Sequence, residues 1–417
     1  MADGITRIAV EGFKSISKKQ SIEIAPLTIL AGANSSGKSS IMQPLLMLKQ
    51  TLEQTTDPGP LWIGGPNVKF TSSDQFFSRT AEGTRPMSVE LATPDFEFHI
   101  TFAESLTYAA AVLEERLIRG KKLLTLRPDM HKDEIRSGME AMFPVEDGYW
   151  EAAEEIVSDR FFLDVRLAGG STFHAMKWIA RFVQGVIHVP GIRGNTERTY
   201  PIRAVATSFP GTFHEYTGSV IYSWQSGRAS AYSLLNEDLR RTGLAPEVVA
   251  QRLSDVSIEL LVQRLDDPRV GDLVSVADVG FGVLQTLPVL VALRVAGEGQ
   301  LVYLEEPEIH LHPRAQVKLA DILADAAKRG VKVVVETHST LLLTAIQTLV
   351  AKGELKPELV KLHWFQRDPK TGVTAVTPTG LDENGAFSDS DWPEDFDRVI
   401  LSADSAYLDA VAERSHR

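Results

Sequence analysis

Gly32-Ala33-Asn34-Ser35-Ser36-Gly37-Lys38-Ser39 fits the pattern G-x-x-x-x-G-K-[ST] and stands between the apolar run Leu27 to Ala31 and a helical pattern opening at Lys38. That context is what phosphate binding needs. Glycines let backbone N–H groups close around phosphate oxygens, the N-terminus of the following helix adds a favourable dipole, and lysine brings positive charge to the β- and γ-phosphates. Lys38 is the charge, Ser39 reads as a Mg²⁺ ligand, and Ser40 completes the loop. ATP with Mg²⁺ is the ligand this loop implies. Lys38 is expected to face solvent until phosphate arrives.

A second constellation lies far downstream, where the apolar strand Leu301-Val302-Tyr303-Leu304 ends in Glu305-Glu306-Pro307. Adjacent residues on a strand point to opposite faces. One carboxylate can therefore serve the metal while the next handles water, and the reading assigns Glu305 to Mg²⁺ through water and Glu306 to the attacking water. The pattern Lys332 to Val335 followed by Glu336-Thr337-His338-Ser339 puts an imidazole at the end of a neighbouring strand, where His338 can sense a γ-phosphate.

These groups need a scaffold of alternating elements. Ile5 to Val10, Ile22 to Ile24 and Leu27 to Ala31 read as strands, and the helix from Lys38 carries Ile41, Leu45, Leu46, Leu48 and Leu52 at helical spacing. From Phe102 to Gly185 the pattern predicts a mainly helical insertion, with Ala109 to Ile118, Glu134 to Met142 and Glu151 to Val157 as amphipathic segments. Gly185 to Pro190 and Ser219 to Trp224 read as strands, and Leu234 to Leu265 as helix. In the last third, helix Val283 to Ala296, strand Leu301 to Leu304, helix Pro313 to Lys328, strand Lys332 to Val335 and helix Leu341 to Ala351 alternate. Such alternation predicts an α/β fold whose parallel strands collect ligands at their C-terminal ends.

Composition narrows the function classes. With 43% hydrophobic and 24% charged residues, the 417-residue chain has the make-up of a folded protein of two or three compact units. A formal charge of −12 argues against coating nucleic acid by bulk electrostatics. The basic run Arg116, Arg119, Lys121, Lys122 and Arg127 is flanked by Glu114, Glu115 and Asp129 and reads as a solvated helix face and loop. Leu284 to Ala296 is too short for a membrane helix and reads as buried core. The N-terminus carries no export leader and there are no cysteines, which excludes disulfides and fits a cytoplasmic protein.

The chain resembles the ATPase heads of ABC, SMC and RecF-type proteins, and within them the predicted AAA-type ATPases of the defence-associated, OLD-like branch. Gly12-Phe13-Lys14-Ser15, the run Glu305-Glu306-Pro307-Glu308-Ile309-His310-Leu311-His312-Pro313 and Thr337-His338-Ser339 are similar to that family's opening strand, Walker B with D-loop, and switch histidine. Asp278-Val279-Gly280-Phe281-Gly282 occupies the signature slot. The resemblance implies that Gly280 and Gly282 reach a partner subunit's ATP through backbone N–H groups, since the usual serine is missing. His188-Val189-Pro190-Gly191-Ile192-Arg193 with Arg198 and Tyr200 is similar to the branch's central motif, and Gly380-Leu381-Asp382 through Trp392-Pro393 to a small C-terminal extension.

The implied organisation is an N-terminal lobe over residues 1–101, a helical insertion over 102–185, a C-terminal lobe over 186–366 and an acidic extension over 367–417. The implied function is an ATP-hydrolysing switch that forms homodimers or higher oligomers and controls an effector, such as a nuclease, in prokaryotic antiviral defence. Two alternatives stand beside it: a RecF-like clamp that binds DNA directly, and a nucleotide-gated scaffold that does not hydrolyse. Gln75 can serve as the Q-loop residue, as can Gln50 or Gln54. His310 and His312 are too few for a zinc site. Asp382, Glu383, Asp389, Asp391, Glu394, Asp395 and Asp397 read as a solvated acidic loop, not a nuclease centre.

Overall fold

In the computed structural model the described residues are 4–80, 83–145, 149–193, 198–227, 229–265 and 272–388. The fold is α/β with a mixed central sheet. Its order is Ile187–Val189, Leu301–Glu305, Lys332–Thr337, Leu27–Gly32, Val360–Arg367 and Thr374–Thr379; only the last strand is antiparallel. The parallel strands are near-continuous apolar runs because both of their faces are covered. Alternate residues serve different cores. Leu27, Ile29, Val302 and Leu304 pack with helices Thr217–Gly227, Phe281–Val295, Pro313–Lys328 and Thr340–Ala351. Leu30, Leu301, Tyr303 and Val334 pack on the opposite side with helix Lys38–Leu52.

That helix is sandwiched against a second, antiparallel sheet in the order Gln20–Glu23, Arg7–Glu11, Met87–Ala92, Glu97–Ala103, Ala111–Arg119 and Lys122–Leu126. Three smaller sheets are described besides: Ala153–Asp159, Phe162–Leu167 and Thr172–Phe173; a four-stranded unit built on Ser257–Gln263 and Glu247–Arg252; and the pair Arg79–Thr80 and Gly83–Thr84.

The segment expected as a helical insertion is largely β. Ala111–Arg119 and Ala153–Asp159 are strands, and among the described residues only Lys132–Met142 and the short Ala180–Gln184 form α-helices there. The cause is the same in both misread strands. A bulge leaves Leu113 without a partner between Thr101↔Glu114 and Phe102↔Val112, and another interrupts the register between Ala153 and Glu155. Each bulge flips the alternation and leaves apolar spacings that mimic a helix. Ser219 to Trp224 is helical instead of extended, because Val220, Ile221 and Trp224 form one buried stripe. Leu234 to Leu265 divides into helix Ala229–Thr242 and two strands.

The boundary placed at residue 367 cuts the hairpin Val360–Arg367 to Thr374–Thr379, which belongs to the central sheet. The basic run lies on the outer strand pair, where Arg116 is neutralised by Glu114 at 2.5 Å. Leu284 to Ala296 falls in a buried helix, and no described helix is long and apolar enough to cross a membrane.

Candidate functional site

The phosphate-loop strand Leu27–Gly32 ends where two glycines are sterically required. Gly32 has φ +147° and a Cβ there would lie 2.3 Å from the Phe365 carbonyl oxygen; Gly37 has φ +103° and its Cβ would meet Thr374 Oγ1 at 2.6 Å. Gly37 caps helix Lys38–Leu52 without any side-chain acceptor. The Ser40 N–H turns back to the Gly37 carbonyl at 3.0 Å, and no side chain competes with an anion for the helix N-terminus ahead of it. Asn34, Ser35, Ser36, Gly37, Lys38, Ser39 and Ser40 line a cavity of about 1190 Å³.

Lys38 departs from its expected exposure. It is only 3% exposed, and its Nζ donates to the Gly32 and Ala33 carbonyls at 3.1 and 2.9 Å. Burial pulls its pKa down, against the attraction of Glu336 and Glu306. The ammonium thus occupies the loop's own oxygens, close to where a phosphate would draw it.

The acidic strand Leu301–Glu305 and the strand Lys332–Thr337 run in parallel with Glu305 beside Glu336. Their carboxylates have different partners. Glu305, the expected metal carboxylate, receives the Gly191 N–H at 3.0 Å and contacts His188 Nε2 at 3.2 Å. Burial raises its pKa, but His188 and the Gly191 N–H outweigh that and hold it below the ordinary value. It does not line the cavity. Glu336 does, accepting from Ser39 Oγ at 2.9 Å and from the Tyr303 hydroxyl at 2.8 Å. Burial, with Glu305 alongside, pushes Glu336 up to about 7. The oxygen pair of Ser39 and Glu336 suits a hard divalent cation whose remaining ligands are phosphate and water.

Glu306 leaves the strand at φ +43°, its N–H donating to the Glu336 carbonyl at 2.8 Å. Its carboxylate faces the same cavity and lies 3.4 Å from His338 Nε2. Glu308 fixes that histidine's loop by accepting from the Thr337 hydroxyl and from the His338 N–H at 3.3 Å. Burial, followed by the nearby Lys38, lowers the His338 pKa and favours neutral imidazole at pH 7.

Further residues complete the wall. Lys14 donates to Gln43 at 2.7 Å, and Gln75, Arg79, Arg367 and the turn Thr371 to Val373 also face the cavity. Lys14, Lys38, Arg79 and Arg367 there oppose Asp74, Glu306 and Glu336, so the site collects cations in a chain of net charge −12. Gln75 lines this wall, whereas Gln50 is buried on the Trp62 and Val68 carbonyls. Gly280 and Gly282 lie apart, at the start of helix Phe281–Val295, and do not line the cavity. His312 caps helix Pro313–Lys328, His310 packs on Phe281, and no metal-binding cluster of three or more His, Cys, Asp or Glu exists among the described residues. Asp382 closes a turn through the Asn384 and Ala386 N–H groups; Asp389, Asp391, Glu394, Asp395 and Asp397 lie outside the described residues, as do Trp392 and Pro393.

Sequence reasoning missed Glu336 as a metal candidate and Arg193 as a buried centre. The signal for Glu336 was a lone acid closing an apolar strand.

Two family profiles match the sequence. One, described as "AAA ATPase domain", covers residues 4–114 and contains the phosphate loop; the other, "AAA domain, putative AbiEii toxin, Type IV TA system", covers residues 192–344 and contains Glu305, Glu306, Glu336 and His338. Over these two stretches the chain is similar to AAA-type ATPase domains. Solved structures similar to this chain include an SMC head bound to the C-terminal winged-helix domain of ScpA (12% identity, 91% of this chain and 98% of that chain, TM-score 0.45). An SMC head domain from Thermotoga maritima matches at 12% identity over 90% of this chain and 98% of that chain, TM-score 0.37. An Smc head with an extended coiled coil, bound to the C-terminal domain of ScpA derived from Pyrococcus furiosus, matches at 12% identity over 91% and 96%, TM-score 0.42. No curated protein matches this chain significantly.

Proposed function

We propose that the protein binds Mg·ATP in the cavity between the phosphate loop and the carboxylate strands, hydrolyses it, and uses ATP-dependent self-association as a switch. The observation that carries this reading is the convergence, in one cavity, of Lys38, Ser39, Glu336, Glu306 and His338 from three parallel strand ends. Ser39 and Glu336 would hold the cation, which would supply neutralisation of phosphate charge. Lys38 moves from the Gly32 and Ala33 carbonyls to the β- and γ-phosphates. Glu306 accepts a proton from the attacking water, and neutral His338, 3.4 Å away, orients the γ-phosphate side of that exchange. Gly280 and Gly282 lie outside this cavity, so the role proposed for them is contact with ATP held by a second copy.

The switch is proposed to act on an effector such as a nuclease in a prokaryotic defence system; support comes from the toxin–antitoxin description of the profile over residues 192–344. Phosphate release by purified protein tests the hydrolytic reading. Mg²⁺-dependent release that falls by roughly 10²–10⁴-fold in Glu306→Gln supports it, and equal rates in wild type and Glu306→Gln would refute it.

A further inference from the structure

Arg193 is 1% exposed, and its guanidinium joins three separate segments. Nε donates to the Gln285 carbonyl at 2.6 Å, Nη1 to the Pro190 and Glu305 carbonyls at 3.0 and 2.7 Å, and Nη2 to the Glu306 carbonyl at 3.1 Å. Its own N–H donates to Gln285 Oε1 at 3.3 Å. Only a planar fork can serve carbonyls in these diverging directions; an ammonium donates from a single point. Burial lowers its pKa to about 10, which leaves it a cation at neutral pH.

Two of the four carbonyls belong to the turn that aims the proposed water-handling carboxylate. Glu306 sits at φ +43°, a left-handed conformation that is strained for a non-glycine residue. Something must hold it there. The Glu336 carbonyl takes its N–H on one side, and Arg193 takes its carbonyl on the other. Gln285 lies one turn into helix Phe281–Val295, whose first turn is the glycine segment Gly280 to Gly282. We infer that Arg193 is a positioning residue that holds Glu306 in its left-handed turn and fixes that turn to the helix beginning at Gly280. A shift of this helix then moves the Glu306 backbone through one guanidinium. The inference rests on the reading of Glu306 as the group that handles water.

The test uses the full chain with Mg·ATP, comparing wild type, Arg193→Ala, Arg193→Lys and Glu306→Gln, and Arg193→Ala combined with Glu306→Gln. Misplacing a reacting group by about 1 Å costs on the order of 100-fold, so kcat should fall by about that factor in Arg193→Ala while ATP affinity stays within about threefold. Millimolar guanidinium should restore part of the rate to Arg193→Ala and none to wild type. Within the Glu306→Gln background, Arg193→Ala should add less than about a twofold loss, because coupled residues are non-additive. Wild-type kcat in Arg193→Ala, an undiminished loss in the Glu306→Gln background, or rate and affinity falling together without guanidinium rescue would overturn the inference. If Arg193→Ala does not fold, Arg193→Lys carries the same comparison, and wild-type kcat in it is the contradicting result. Equal hydrolysis by wild type and Glu306→Gln would instead sink the underlying reading, which separates the two failures.

Discussion

The Ser39 hydroxyl donates to the Glu336 carboxylate at 2.9 Å across 297 residues of sequence. This bond joins the phosphate loop to the strand end that carries His338, and it sets Glu336, not Glu305, on the cavity wall beside Ser39. Glu336→Gln should therefore weaken ATP binding in Mg²⁺ by about 10- to 100-fold and leave binding in EDTA unchanged. Glu305→Gln should preserve the Mg²⁺ effect and instead cost roughly 1–3 kcal/mol of stability, since it leaves buried His188 poorly partnered. Calorimetric ATP titrations with and without Mg²⁺, together with urea unfolding, decide between the two carboxylates. An Mg²⁺ effect lost in Glu305→Gln and kept in Glu336→Gln would reverse the assignment.

Lys38 rests on the Gly32 and Ala33 carbonyls. Lys38→Ala removes a charged hydrogen-bond donor worth roughly 1.5–3 kcal/mol, so ATP affinity should drop by about 10- to 100-fold. The fold should survive, because helix Lys38–Leu52 stays packed through Ile41, Leu45, Leu46 and Leu48. Equal ATP affinity in wild type and mutant would rule out the phosphate-loop reading.

The scaffold of this site was legible where burial is simple. Helix Pro313–Lys328 follows its sequence pattern to both ends, since Leu319, Ile322, Leu323 and Ala326 make one stripe and Pro313 starts it. Strands Leu301–Glu305 and Lys332–Thr337 were legible as apolar runs ending in polar residues. The bulged strands were not, because one extra residue changes which side chains are buried. Glu115 shows the limit most clearly: a fully buried carboxylate accepting the Leu163 N–H at 2.8 Å leaves no trace in an apolar pattern. That Glu306 lines the cavity and Glu305 does not has a related reason. Opposite-face alternation holds only while the backbone is extended, and Glu306 turns left-handed at the strand's end.

His363 should impose an acid limit on stability. It is buried on strand Val360–Arg367, its Nε2 lying 3.0 Å from the Glu23 carbonyl, and burial lowers its pKa to about 4. A folded pKa below the unfolded value of about 6.5 means protons favour the unfolded chain. The stability associated with neutral His363 is full above pH 6.5 and is lost as pH falls towards 4, by roughly 3 kcal/mol in total. Urea unfolding across this range should show the gap between wild type and His363→Gln narrowing as pH falls. A gap independent of pH would contradict the prediction.

The central claim is that ATP, held by Lys38 and Ser39 and attacked by water under Glu306, drives two copies together. Glu306→Gln should bind ATP and stall, since loss of a general base costs roughly 10²–10⁴-fold in rate. The closed state can be favoured only as far as ATP binds it better than the open one, so nucleotide dependence is the decisive observable. Light scattering on Glu306→Gln should report the 45.9 kDa monomer without nucleotide and about twice that mass with Mg·ATP. An unchanged mass in both conditions, with ATP demonstrably bound, would contradict the account.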